Sequence, residues 1–92
     1  MGSIETIEVR LSSKLSLAFE NDIAEIIEKA LSAEEVSEIK LYNKERLKSD
    51  YLIILIYNKQ THEIKKKALG EQIKTGLREY GMVYLNHWNE II

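Results

Sequence analysis

The 92-residue sequence predicts an α+β sandwich, one antiparallel sheet carrying both helices on a single face. Apolar residues recur at period two in two segments and at the helical period in two others, and with the apolar segments at 51–57 and 82–85 the order reads β-α-β-β-α-β. There is no proline, internal repeat, low-complexity tract or Gly/Ser linker, so residues 1–92 read as a single domain. Residues 51–57, Tyr-Leu-Ile-Ile-Leu-Ile-Tyr, form an unbroken apolar run, the mark of a strand covered on both sides.

Residues 4–11 alternate from Ile7 through Val9 to Leu11 and read as the first strand. Over residues 16–31 the period changes. Phe19, Ile23, Ile26, Ile27 and Ala30 fall on one helical face, with Asp22, Glu25, Glu28 and Lys29 opposite. Ser16 suits the cap of this helix, and Glu20 and Asp22 suit the positive end of its dipole. From Glu38 the period returns to two, with Ile39 and Leu41 against Lys40 and Tyr42, a second strand. Residues 43–50 are polar apart from Leu47 and form a hairpin connection to the strand at 51–57.

Asn58-Lys59-Gln60-Thr61 ends that strand, and Thr61 caps a second helix running to about Tyr80. Leu69, Ile73, Gly76, Leu77 and Tyr80 form its apolar face, since they share about 100° of arc at 3.6 residues per turn. Gly81 suits the position just past the helix end. Met82 to Leu85 open the last strand, which runs into Asn86-His87-Trp88. This order, with right-handed crossovers, resembles the ferredoxin-like superfold, in which strands one and three are central. No narrower family is recognisable, and the fold alone implies no function.

Such a sheet leaves one face open. Strand three offers Leu52, Ile54 and Ile56 to one side and Tyr51, Ile53, Leu55 and Tyr57 to the other. Tyrosines tolerate water, so the first set is assigned to the helices and the second to the open face, joined there by Tyr42, Tyr84 and Trp88. The apolar, aromatic-rich face then predicts association of identical copies through Tyr51, Ile53, Leu55, Tyr57, Tyr84 and Trp88. Glu8 and Arg10 on strand one flank it. A stacking platform for single-stranded nucleic acid is disfavoured, because strand three has neither the glycine nor the phenylalanine of the RNP1 pattern.

Charge is unevenly spread. Residues 1–39 hold three bases against nine acids, and residues 40–78 hold ten bases against four. Lys65, Lys66 and Lys67 crowd the first turns of the second helix, where they oppose its dipole, and an anion bound there would relieve them. With Lys74 and Arg78 they form a candidate anion-binding set, to which Thr61 and His62 add donors. The acidic first helix beside the basic second one is the competing explanation, and solvated lysines are the simpler reading. Nucleic acid or another polyanion, met by the second helix together with Lys40, Lys44, Arg46 and Lys48 of the hairpin, is therefore the alternative partner rather than the main one.

Catalytic and metal-binding patterns are sparse. With no cysteine there is no disulfide, thiolate nucleophile or Cys-ligated metal. His62 and His87 have no further ligand at helical metal spacing, so neither metal nor cofactor is expected. Ser49-Asp50-Tyr51-Leu52 resembles the nucleotidyltransferase motif over those residues alone, and Leu52 stands where a second metal-binding acid would be needed. The amino terminus, Met1-Gly2-Ser3-Ile4-Glu5, lacks the pattern of a secretory signal, and no apolar run reaches the ~20 residues that span a bilayer. A cytoplasmic setting is expected. The resulting expectation is a non-enzymatic interaction and assembly module, a homo-oligomer with scope for a protein partner. A ligand-sensing domain with its site at a subunit interface is the remaining alternative.

Overall fold

The structure, a computed structural model, describes residues 2–12, 16–45, 47–58 and 63–92; the side chains of residues 16, 17, 47, 48 and 63–67 lie outside the description. The elements are β1 (Ser3–Leu11), α1 (Ser16–Leu31), β2 (Val36–Lys44), β3 (Leu47–Tyr57), α2 (Glu63–Leu77), a 3-10 turn (Arg78–Tyr80) and β4 (Gly81–Asn89). The four strands form one antiparallel sheet in the order β2-β3-β1-β4, so β1 and β3 are central as expected. This is the predicted ferredoxin-like sandwich.

Both helices pack on one sheet face. Phe19, Ile23 and Ala30 of α1 and Ile73 and Leu77 of α2 are buried against Ile7 and Val9 of β1 and Ile53 and Leu55 of β3. Phe19 anchors the α1 side, tilted on Tyr51 with ring centroids 4.7 Å apart and meeting Tyr80 edge-on at 5.6 Å. The Tyr80 hydroxyl donates to Asp22 Oδ2, tying the end of the second helical segment to α1.

The strand-three face assignment is reversed. Tyr51, Ile53, Leu55 and Tyr57 turn toward the helices, and Leu55 is fully buried. Register explains it: Ile7 pairs with Ile53 and Glu5 with Leu55, and directly opposed residues share a face. The inward face of β1 therefore sets the inward face of β3. Leu52, Ile54 and Ile56, expected under the helices, lie half-buried on the open side. Of the six proposed interface residues, only Tyr84 and Trp88 stand on the open face, and both are exposed.

Three smaller differences concern segment ends. The hairpin is tighter than expected, because β2 and β3 continue their ladder to Lys44 and Leu47; backbone pairing does not require apolar side chains. Gly76 is exposed, and the buried glycine of α2 is Gly70. Gly81 opens β4 rather than closing α2, and a Cβ there would stand 1.9 Å from the Arg10 carbonyl oxygen, so close strand approach requires the glycine. The proposed cap Thr61 lies outside the described residues, as does the side chain of Ser16.

Candidate active site

The helix-facing side of the sheet is apolar at one end and polar at the other. Along β1 the inward residues run Ser3, Glu5, Ile7, Val9, so the first two break the apolar series. Ser3 lies opposite Asn89 of β4, and Glu5 opposite His87. Tyr57 closes the same corner from the end of β3. Among the described residues, Ser3 and Glu5 are the only buried polar ones, and Glu5 is 2% exposed.

Glu5 has a contact on each flank. The Tyr57 hydroxyl donates to its Oε1, across 52 residues of sequence. His87 Nδ1 stands 3.8 Å from its Oε2, and both imidazole nitrogens are shielded from solvent. Above it runs α2, whose Gly70 Cα faces the carboxylate so closely that a Cβ there would lie 2.6 Å from Oε2. Burial pushes the Glu5 carboxyl above its ordinary value of 4.5; the Tyr57 bond and His87 pull it partly back, and Glu71 adds to the rise. Tyr57 is displaced upward too, by burial first and then by its bond to the carboxylate and the nearby charges of Glu5 and Glu35. The corner thus holds an acid and a phenol, joined by one hydrogen bond, that both resist ionisation.

A hollow of about 460 Å³ opens at this end of the sheet. Ser3, Tyr57 and Asn89 line one side of it, Ile4, Ile56 and Trp88 the other. Tyr57 is common to the hollow and to the Glu5 contact. Trp88 is fixed across the open face by donating its indole N–H to Thr6 Oγ1 at 2.9 Å.

A second hollow, about 330 Å³, lies on the open face. Tyr42 pairs with Leu52, Leu52 with Glu8 and Glu8 with Tyr84, giving one row across all four strands with a tyrosine at each edge. Arg10 and Asp50, 3.4 Å apart, close one end. Asp50, which carried the nucleotidyltransferase resemblance, is engaged in this ion pair.

Of the anion-binding set, the structure describes the side chains of Lys74 and Arg78 alone. Lys74 is half-buried and Arg78 exposed, while the side chains of Lys65, Lys66 and Lys67 and all of Thr61 and His62 lie outside the described residues. Sequence reasoning missed Glu5, Tyr57 and His87 as a group. The available signal was Glu5 itself, an acid on the face that Ile7 and Val9 mark as buried.

No described helix is long and apolar enough to cross a membrane. No family model matches the chain, and no curated protein matches it. Solved structures do. SnoaB, a cofactor-independent oxygenase from Streptomyces nogalater, superposes with a TM-score of 0.78 at 13% identity, over 97% of this chain and 92% of that one. A putative antibiotic biosynthesis monooxygenase from Bordetella bronchiseptica gives a TM-score of 0.70 at 12% identity over the whole of both chains. A dimeric ferredoxin-like protein from an uncultured marine organism gives 0.66 at 14%, over 99% and 91%. At these identities the likeness is one of fold. The expectation of a non-enzymatic assembly module is nonetheless overturned: neighbours matching the chain end to end are an oxygenase and a putative monooxygenase, and three of its six interface residues, Ile53, Leu55 and Tyr57, are buried in the core.

Proposed function

We propose that this protein is a small-molecule enzyme of the cofactor-independent oxygenase kind, with Glu5 as proton acceptor and Tyr57 as the group that meets the substrate. The observation that carries this reading is the buried Glu5–Tyr57 hydrogen bond at the wall of the hollow. Burying a carboxyl costs several kcal/mol unless something compensates. A raised carboxyl in a dry site suits a general base working near neutral pH. The oxygenase and putative monooxygenase of like fold support this choice of reaction class.

The chemistry follows from dioxygen. Its triplet ground state reacts slowly with closed-shell molecules but accepts electrons one at a time from a carbanion. A substrate in the hollow with an activated methylene group passes a proton to the Tyr57 oxygen as Tyr57 passes its own to Glu5. The carbanion and dioxygen form a C–O bond, and the proton returns through Tyr57 to give a hydroperoxide. Loss of water leaves a ketone, so one methylene and one dioxygen become one carbonyl and one water. Ser3 and Asn89 are placed to orient polar groups of the substrate, and Ile4, Ile56 and Trp88 to cover its apolar side.

The test is dioxygen uptake with a panel of activated methylene compounds and hydroquinones, using wild type and Glu5→Gln. Protein-dependent uptake that falls at least about 100-fold in the variant supports the reading. Absence of uptake and of ligand-induced thermal stabilisation across the panel overturns it.

Pairing of two copies through the open sheet face belongs to the same proposal, in a cytoplasmic setting that suits the cysteine-free sequence. The exposed Tyr42, Met82, Tyr84 and Trp88 around half-buried Leu52, Ile54 and Ile56 support it, as does the dimeric neighbour. Light scattering on wild type and Leu52→Asp tests it. A wild-type monomer at working concentrations would end this part of the reading.

A further inference from the structure

We propose that Gly70 is a positioning residue, whose missing side chain leaves a slot under α2 that holds the Glu5 carboxylate in its hydrogen bond with Tyr57. Its catalytic meaning rests on the assignment of Glu5 as proton acceptor; the slot itself does not.

Gly70 sits in the interior of α2, where glycine is a poorer helix former than alanine. It is buried, and it shares the sheet-facing side with Ile73 and Leu77, at i+3 and i+7. An alanine methyl at this position would stand 2.6 Å from Glu5 Oε2, 2.7 Å from Oε1 and 2.8 Å from Cδ. All three distances are below what carbon and oxygen tolerate without bonding, so the whole carboxylate lies against the glycine Cα. Gly76, further along the same helix, is the internal contrast: a methyl there would meet only Ile26 Cδ1, at an ordinary 3.8 Å. One helix thus carries two glycines, and only one is needed to make room.

The carboxylate has little freedom to move aside. Tyr57 of β3 lies on one flank and His87 of β4 on the other. Glu71, next along α2, is the further charged group bearing on it among the described residues. A methyl at position 70 therefore drives the carboxyl off Tyr57 or lifts α2 from the sheet. Either result breaks the link between Tyr57 and its proton acceptor.

The experiment compares Gly70→Ala, Gly76→Ala and Gly70→Ala/Glu5→Asp. Thermal unfolding and the titration of 13C-labelled Glu5 followed by NMR are the readouts, the latter in the variants that keep Glu5. Gly76→Ala should raise Tm through helix propensity, and Gly70→Ala should lower it. In Gly70→Ala the Glu5 titration should fall toward 4.5 as the carboxyl leaves its dry slot. Asp, shorter by one methylene, should recover Tm in the double variant, and it should recover folding if Gly70→Ala alone does not fold. A Gly70→Ala protein with raised Tm and an unchanged Glu5 titration overturns the proposal, as does a double variant that recovers nothing. A moved titration in a protein whose wild type consumes no dioxygen keeps the slot and removes the reaction.

Discussion

The hydroxyl of Tyr57 on β3 donates to Oε1 of Glu5 on β1, joining the acid on the inward face of the sheet to the wall of a hollow at its edge. Glu5 pairs in the ladder with Leu55, so Tyr57 reaches back by one inward position to make this bond. The bond stabilises the ionised acid, and burial opposes that ionisation more strongly.

Tyr57→Phe removes the donor and leaves the carboxyl buried. The Glu5 titration should rise further, because the lost bond was holding it down. Stability at neutral pH should fall by about 1.5–3 kcal/mol, as for a hydrogen bond to a charged group. Urea unfolding and the NMR titration check the two effects separately.

The pH dependence of stability has a definite sign. The folded-state value for Glu5 lies above 4.5, so above that pH the folded protein holds more of the proton than the unfolded chain does. The contribution is complete below pH 4.5 and is lost as pH rises through the folded value. Glu5→Gln should flatten this part of the profile and leave the protein more stable than wild type on its alkaline side. Urea midpoints between about pH 5 and 8 should converge toward the acid side; parallel profiles for the two proteins would contradict the assignment.

Leu55 and Leu52 separate the two sheet faces. Leu55 is completely buried beneath the helices, and Leu55→Asp should unfold the domain, costing more than about 4 kcal/mol. Leu52→Asp, on the open face, should keep the far-UV circular dichroism of wild type and abolish self-association. A folded Leu55→Asp protein would mean that the face assignment is wrong.

Tyr80 binds the 3-10 turn to α1 through Asp22 and packs its ring edge-on against Phe19. Tyr80→Phe keeps the ring and loses the bond. It should cost about 1–2 kcal/mol and speed amide exchange most in α1. Uniform exchange changes across the sheet would show that the bond acts elsewhere.

Element order and the identity of the central strands were legible in the sequence because hydrophobic period is local. Phe19, Ile23 and Ala30 recur at helical spacing, and Ile7, Val9 and Leu11 at strand spacing, whatever lies across from them. The run from Tyr51 to Tyr57 carries no such mark, since both of its faces are apolar. Which face meets the helices was decided by pairing with β1, where Ile7 opposite Ile53 places Ile53 inside. The candidate site is non-local in the same way. Glu5, Tyr57, Gly70 and His87 come from four elements spread over most of the chain, and none is distinctive alone. Their meeting depends on register and on the approach of α2 to the sheet, which only the tertiary structure sets.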